Sequence, residues 1–229
     1  MRVLVASRNK KKLAELNRML EAANVTGIEL VGLGDVPEYP ETPETGATFV
    51  DNARIKTNDG VRHTGLPTIA DDSGLAVDAL NGMPGVLSAR WSGGHGDDKA
   101  NNDLLLAQMG DVPDERRGAH FVSSCVLQLP ADVAAARGME TEYAVEGRWY
   151  GRVLRAEQGE GGFGYDPLFA PDELPEGHEE QLAGKSAGEL TAEQKDAVSH
   201  RGKALRQLVE ILAQLADCLL YTSPSPRDS

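Results

Sequence analysis

The chain has 229 residues, with 23 Lys plus Arg against 36 Asp plus Glu, a formal charge of −13. That balance excludes general coating of nucleic acid, which needs a broad basic face, so any phosphate the chain binds has to meet a local basic cluster. With 40% hydrophobic and 26% charged residues the composition is that of a globular protein of one α/β domain or two, and no apolar stretch approaches the ~18 residues of a membrane span.

The opening Arg2-Val3-Leu4-Val5-Ala6 reads as a buried central strand. It turns polar too soon for a signal peptide, which places the protein in the cytoplasm. A helix follows from Lys10 to about Ala23, with Leu13, Leu16, Met19 and Leu20 at helical spacing. Ile28 to Val31 is a second strand, and a Pro-, Glu- and Thr-rich loop from Gly32 to Gly46 leads to a helix over Thr48 to His63, with Phe49, Ala53 and Ile55 inward. Leu66 to Ala70 is a third strand ending on Asp71-Asp72-Ser73-Gly74, and Leu75 to Val77 continues extended before a turn at Gly82 to Gly85. Asp97 to Met109 reads as a helix with Leu104, Leu105 and Leu106 inward. Strands are expected at Ala119 to Leu129, Thr141 to Trp149 and Gly151 to Arg155, with a bend near Arg148 to Gly151. The acidic segment Asp172 to Glu189 reads as a mobile surface insertion. One helix should close the domain from Thr191 to Leu215, capped by Thr191 with Gln194 three residues on. Residues 1–215 thus form one domain of mixed strands and helices, an α/β fold with a cleft. Residues 216–229, with Ser223-Pro224-Ser225-Pro226, read as a non-native or disordered tail.

Five clusters carry chemistry. Ser7-Arg8-Asn9-Lys10-Lys11-Lys12 is the densest basic cluster of this acidic chain and sits where a strand gives way to a helix, where free N–H groups and the helix dipole favour an anion. A solvated basic cap would leave the same pattern. Asp71-Asp72-Ser73-Gly74 closes an apolar strand where α/β sheets place ligands. Repulsion between its two carboxylates would be relieved by a divalent cation, and oxygen ligands suit Mg²⁺ with phosphate, although an ordinary Asp-Ser-Gly turn is the simpler explanation. Glu44 precedes a helix on which Asn52 and Lys56, four apart, share a face. In Gly161-Gly162-Phe163-Gly164-Tyr165-Asp166-Pro167, glycines flank a ring that could stack on a base, with Asp166 as an acceptor for ring N–H groups. Lys195 and Ser199-His200-Arg201-Gly202 sit on the last helix, where a His-Arg pair could meet a phosphate or a base carbonyl.

Several patterns are decoys. Gly159 to Gly164 fits GxGxxG, but Asp166-Pro167 follows at once and no helix can open there; Gly184-Lys185-Ser186 lacks both the strand and the leading glycine of a phosphate-binding loop. Cys125 and Cys218 form no CxxC, which excludes a disulfide framework or a zinc site.

In this order the motifs resemble the inosine triphosphate pyrophosphatase, or Ham1-like, family. The resemblance rests on Ser7-x-Asn9-x-x-Lys12, Phe49-Val50-Asp51-Asn52-Ala53 with Lys56, Ala70 to Leu75, Ser88-Ala89-Arg90, Gly161 to Pro167 and Ser199 to Gly202. It implies an elongated mixed sheet with two lobes around a central nucleotide-binding cleft, and usually a homodimer. It also implies hydrolysis of purine nucleoside triphosphates with a deaminated base (ITP, dITP, XTP) to monophosphate and pyrophosphate, with Mg²⁺. Carried over, Ser7, Arg8, Asn9, Lys10, Lys11, Lys12 and Lys56 would hold the triphosphate. Glu44 and Asp72 would bind metal, Asp72 would also activate water, Asp71 would support them, and Ser73 would touch substrate. Phe163 would stack on the purine, Gly164, Tyr165 and Asp166 would line its pocket, and Lys195, His200 and Arg201 would read the 6-oxo base. Two other functions stay open: a Maf-like relative acting on other damaged or pyrimidine triphosphates, and a non-catalytic nucleotide sensor. The acidic segment around Asp172 to Gly184 departs from the family pattern.

Overall fold

The computed structural model describes residues 1–217. The expected tail lies outside the described residues from Cys218 onward, whereas Ala216 and Asp217 continue the final helix, held there by burial of Ala216.

The first half is a parallel unit. Strand β1 (Arg2–Val5) buries Val3, Leu4 and Val5. It leads into helix α1 (Lys10–Ala22), which Asn9 starts by accepting the Lys11 N–H at 2.9 Å and which buries Leu16 and Leu20. Strand β2 (Glu29–Gly32) pairs parallel to β1. Helix α2 (Phe49–Thr64) is capped by Thr48 and stopped by Gly65 at φ +68°. Its buried face is Asn52, Ala53, Thr57, Asp59 and Gly60, while Phe49 and Ile55 are only half-buried. The sequence reading put apolar residues there, but the helix faces a sheet region that is itself polar.

Strand β3 (Thr68–Val77) pairs parallel to β1 and antiparallel to β4 (Gly118–Gln128). It does not end at Asp71 as expected: its ladder with β4 runs unbroken from Thr68↔Gln128 to Val77↔Ala119. Helix α3 (Asp98–Gln108) buries Leu105 with Asn101 and Asn102; Leu104 and Leu106 are half-buried, since three consecutive residues span about 200° of a helix and cannot share one face. Helix α4 (Ala131–Arg137), unanticipated, fills the connection between β4 and β5. Strand β5 (Glu142–Val153) is continuous where two strands and a bend were expected. It runs on because both edges are paired there: Gly151 opposes Ala119 of β4 on one side and Pro171 of the short strand β6 (Phe169–Pro171) on the other. The sheet order is β2-β1-β3-β4-β5-β6, parallel at one end and antiparallel at the other.

The acidic segment is not a loose insertion. Helix α5 (Glu179–Leu182) and the turn after it bury Leu182 and Ala187 in the core, and the Gly188 carbonyl accepts the Gly161 N–H at 2.9 Å, which ties the segment to the glycine loop. The last helix is two helices. Helix α6 (Ala192–Val198) has the predicted Thr191/Gln194 capping box, but Ser199 leaves the helical region at ψ 158° and helix α7 (His200–Asp217) starts anew. The Ser199 hydroxyl accepts the Gly202 N–H at 3.1 Å and so caps the second helix.

Two hydrophobic clusters result. One joins β1, α1, α7 and the near ends of β3 and β4 through Val3, Val5, Leu16, Leu20, Leu127 and Leu208. The other joins the far ends of β3, β4 and β5 to α3 and β6 through Leu75, Phe121, Trp149, Leu105 and Phe169. These are the two lobes, and β3, β4 and β5 run through both.

Candidate active site

Between the two clusters the long strands turn polar. Asp71, Asp72 and Ser73 oppose Cys125, Ser124 and Ser123, which in turn oppose Val145, Glu146 and Gly147. The alternating apolar pattern breaks there, leaving a polar waist where the lobes meet. Strand β1 stops pairing with β3 at Val5↔Ile69, so the β3 edge beyond it lies open to side chains.

Adjacent strand residues point to opposite faces, and this separates the two aspartates. Asp71 lies on the α1/α7 face, buried, with Lys12 Nζ at 2.6 Å and Arg201 Nη1 at 2.7 Å. Burial would raise its carboxyl, but Lys12 and then Arg201 outweigh that and hold it well below the usual carboxylate range. Asp72 lies on the α2 face, where Asn52 Nδ2 donates to it at 2.9 Å and Lys56 Nζ stands 4.0 Å away. Burial is its strongest influence; Lys56 and the Asn52 bond oppose the effect, Glu44 adds to it, and the carboxyl ends above its ordinary value. The expectation that the two carboxylates repel each other across one cation site is therefore corrected: Asp71 is neutralised by two cations on its own face. Lys56 links the faces at the open edge, reaching Glu44 at 2.9 Å and donating to the Asp71 carbonyl at 3.1 Å. Ser73 is half-buried on the Asp71 face opposite Ser123, whose buried hydroxyl has no hydrogen-bond partner among the described residues.

The Ser7–Lys12 turn closes on itself and then opens to solvent. The Ser7 hydroxyl accepts the Asn9 N–H at 3.2 Å, Arg8 reaches Glu41 at 2.6 Å, and Lys10 and Lys11 are exposed. Only Lys12 turns inward, to Asp71.

Across the waist the glycine loop presents Phe163, 70% exposed, with Lys195 Nζ 4.5 Å from its ring centre. Asp166 is buried, accepts the Phe163 N–H at 2.8 Å and pairs with Lys195. Gly162 (φ +79°) has to be glycine, because a Cβ there would lie 2.2 Å from the Asp166 carboxylate. Tyr165 is buried and its hydroxyl donates to the Ser88 carbonyl at 2.8 Å, so it anchors the loop rather than lining an open pocket. His200 is buried, stacked on Phe121 at 4.8 Å, with Nδ1 unpartnered among the described residues. Burial, then Lys195 and Arg201, push its imidazole down to about 3 and keep it neutral. Gly147 lets α7 bring His200 this close, since a Cβ there would sit 2.0 Å from the His200 carbonyl oxygen.

Sequence reasoning passed over three groups. Glu15 accepts from Arg201 Nε at 2.7 Å, and its place one turn after Lys12 on α1 was a readable signal. Asp59, buried, receives the Thr42 N–H at 2.7 Å and the Thr42 hydroxyl at 3.1 Å, which fixes the loop that carries Glu44 two residues later. Asp98 and Asn102, also one turn apart, grip Gly164 from α3. Nothing in the sequence marks the last two pairings, which join segments far apart in the chain.

Among the described residues no group of three or more His, Cys, Asp or Glu is placed to hold a metal, and no helix is long and apolar enough to cross a membrane. A model of the Ham1 family matches residues 3–211. A protein of Corynebacterium jeikeium named dITP/XTP pyrophosphatase is 98% identical over 217 residues, covering 95% of this chain and 100% of the relative. A protein of that name from Nocardia farcinica is 62% identical over 216 residues, covering 94% of this chain and 97% of the relative. Among solved structures, the nucleoside-triphosphatase / dITP/XTP pyrophosphatase of Mycobacterium abscessus superposes with a TM-score of 0.74 at 60% identity, covering 93% of this chain and 100% of that one. A HAM1 protein of Coxiella burnetii gives 0.80 at 34% identity, covering 93% and 99%. With nearly its whole described length matched in sequence and in fold, and with the family's motifs gathered at one polar waist, the chain belongs to the Ham1 family.

Proposed function

We propose that the chain hydrolyses purine nucleoside triphosphates with a deaminated base, XTP, dITP and ITP, to the monophosphate and pyrophosphate. The observation that carries this reading is Asp72, a carboxylate made more basic by burial and set beside Lys56 and Glu44 at the open edge of β3. Such a group can orient a water and take its proton as the water attacks the α-phosphorus. Asn52 fixes the carboxylate through Oδ2, leaving Oδ1 toward Lys56. The Ser7–Lys12 turn and Lys56 supply donors for the triphosphate and for the charge that develops on the departing pyrophosphate.

The donor set suits Mg²⁺, which favours one or two carboxylates completed by substrate phosphates. Glu44 and Asp72 both converge on one cation already, the Lys56 ammonium, at 2.9 and 4.0 Å. These two acids would hold Mg²⁺, which when bound would offset phosphate charge. On the other side of the waist Phe163 offers a face for the purine, Gly164 and Asp166 flank it, and Tyr165 supports the loop from below. Lys195, Arg201 and the neutral His200 supply N–H donors to a 6-oxo group. A 6-amino group would leave those donors unpaired, the basis for rejecting ATP. The same reading includes a homodimer in the cytoplasm, the former testable by sedimentation.

The experiment is pyrophosphate release from XTP, ITP, dITP, GTP and ATP with Mg²⁺, repeated with excess EDTA. We expect turnover of the deaminated substrates far above ATP, and its loss with EDTA. Equal rates on ATP and XTP, or a preference for pyrimidine triphosphates, would overturn the specificity; retention of activity in Asp72→Asn would overturn the assignment of Asp72.

A further inference from the structure

Two side chains of helix α3 hold both backbone polar groups of Gly164, the residue that follows Phe163. Asn102 Nδ2 donates to the Gly164 carbonyl at 3.1 Å, and Asp98 Oδ2 accepts the Gly164 N–H at 2.8 Å. The two residues are four apart, one turn of helix, so they meet Gly164 as a fork. Asn102 is 3% exposed and donates a second bond to Glu157 Oε1 at 2.8 Å, on the segment that leads into the glycine loop. Both its partners are acceptors, which fixes the amide orientation and leaves Oδ1 buried without a partner among the described residues. An unsatisfied buried oxygen costs stability, so a leucine would pack here at lower cost. What the amide does that leucine cannot do is hold the loop. Gly164 (φ +59°) has nothing within 4 Å of where a Cβ would be, so its own packing does not restrain it and its backbone bonds carry its hold on α3. The exposed Phe163 ring is carried by a loop that Asp166, through the Phe163 N–H, and Tyr165 hold on one side, and the fork adds the hold from α3.

We infer that Asn102 and Asp98 are positioning residues that set the enzyme's affinity for the purine base by clamping the Gly164 backbone and so the place from which Phe163 presents its ring. This rests on the proposed function, and it goes beyond it in placing a determinant of base affinity on α3, one contact behind the loop that meets the purine. The clamp serves the base and not the phosphates, because its contacts end at the glycine loop while the Ser7–Lys12 turn and Lys56 lie across the waist.

The test compares wild type with Asn102→Ala, Asp98→Ala and Asp98→Asn, the last keeping an acceptor oxygen. For each, KM and kcat for XTP are measured, together with the inhibition constant of inorganic tripolyphosphate, which has no base. The expected result is a rise in KM for XTP of roughly 3- to 10-fold in both alanine variants, the equivalent of one lost hydrogen bond, with kcat changed less. The tripolyphosphate constant stays at its wild-type value and Asp98→Asn restores KM. Hydrogen exchange should show faster opening of residues 159–166 in the alanine variants alone. An unchanged KM, or a tripolyphosphate constant that shifts in parallel with it, overturns the clamp, the second by showing general structural damage. If the wild type turns over no nucleotide, the functional reading fails instead, and unaltered exchange of residues 159–166 would then refute the clamp independently.

Discussion

Replacing either of two neighbouring aspartates by asparagine should move stability in opposite directions. Asp71 makes two ion pairs, at 2.6 and 2.7 Å, from a side chain 8% exposed. Breaking a buried pair costs about 3–5 kcal/mol. Arg201 keeps Glu15 at 2.7 Å after the change and Lys12, 26% exposed, can turn to water, so Asp71→Asn falls at the low end, roughly 3 kcal/mol. For a chain of this size that lowers Tm by on the order of 6–12 °C. Asp72→Asn removes a carboxylate that burial makes costly to ionise, so at pH 7 it should melt at or above the wild-type temperature while losing most turnover. The pH dependence carries the same signs. The folded-state value of Asp71 lies below the ordinary 3.8, so its contribution is complete above that pH and is lost as pH falls below it. The folded-state value of Asp72 lies above 3.8, so the folded state loses stability as pH rises from 3.8 through that value. Thermal melts by circular dichroism from pH 3 to pH 8 would show the gap between wild type and Asp71→Asn constant at neutral pH and closing only in acid. Melting of Asp71→Asn within a degree of wild type at pH 7, or identical shifts for both variants, would refute the opposite-face assignment.

Three further outcomes follow. Phe163→Ala removes an exposed ring, so Tm should hold while KM for XTP rises by roughly 5- to 150-fold, the worth of about 1–3 kcal/mol of base stacking; a lowered Tm with unchanged KM would make the ring structural. His200, pushed down to about 3, should show no NMR titration between pH 5 and 8. Its folded-state value lies below the unfolded 6.5, so it contributes stability above that pH that drains away as acid approaches 3, and a resonance titrating near 6.5 would contradict its burial. Gly147→Ala forces a methyl to 2.0 Å from a backbone oxygen of α7, and we expect a loss of about 1–3 kcal/mol in urea unfolding; a neutral effect would mean that α7 can retreat from β5 without cost.

The local signals read well from sequence, and those that depended on distant partners did not. Thr191 announced a helix start because a cap is a bond between near neighbours, and the starts read near Lys10 and Thr48 lie beside the caps Asn9 and Thr48. Helix α4 was readable by the same standard, with Pro130 before it, an alanine run within it and Gly138 after it, and was missed. The continuity of β5 through Tyr150 and Gly151 was not, because it depends on β4 and β6 pairing at once with a segment that looks like a turn. At the site, the spacing of Asn52 and Lys56 did predict a shared face. The pairing of Asp71 with Lys12 and Arg201 was hidden, because 59 and 130 residues separate the partners. Two adjacent aspartates looked like one metal site until the pleat put them back to back.

The three long strands that cross the waist also govern how the molecule comes apart. The β3–β4 ladder continues through ten register pairs from one hydrophobic cluster into the other, and β4–β5 through eleven. The three shared strands couple the clusters, so the lobes are expected to unfold as one cooperative unit, and calorimetry should give a single transition with matching calorimetric and van't Hoff enthalpies. A damaged copy would lose its catalytic geometry together with its core, and no half-folded form would remain to capture nucleotide without releasing it.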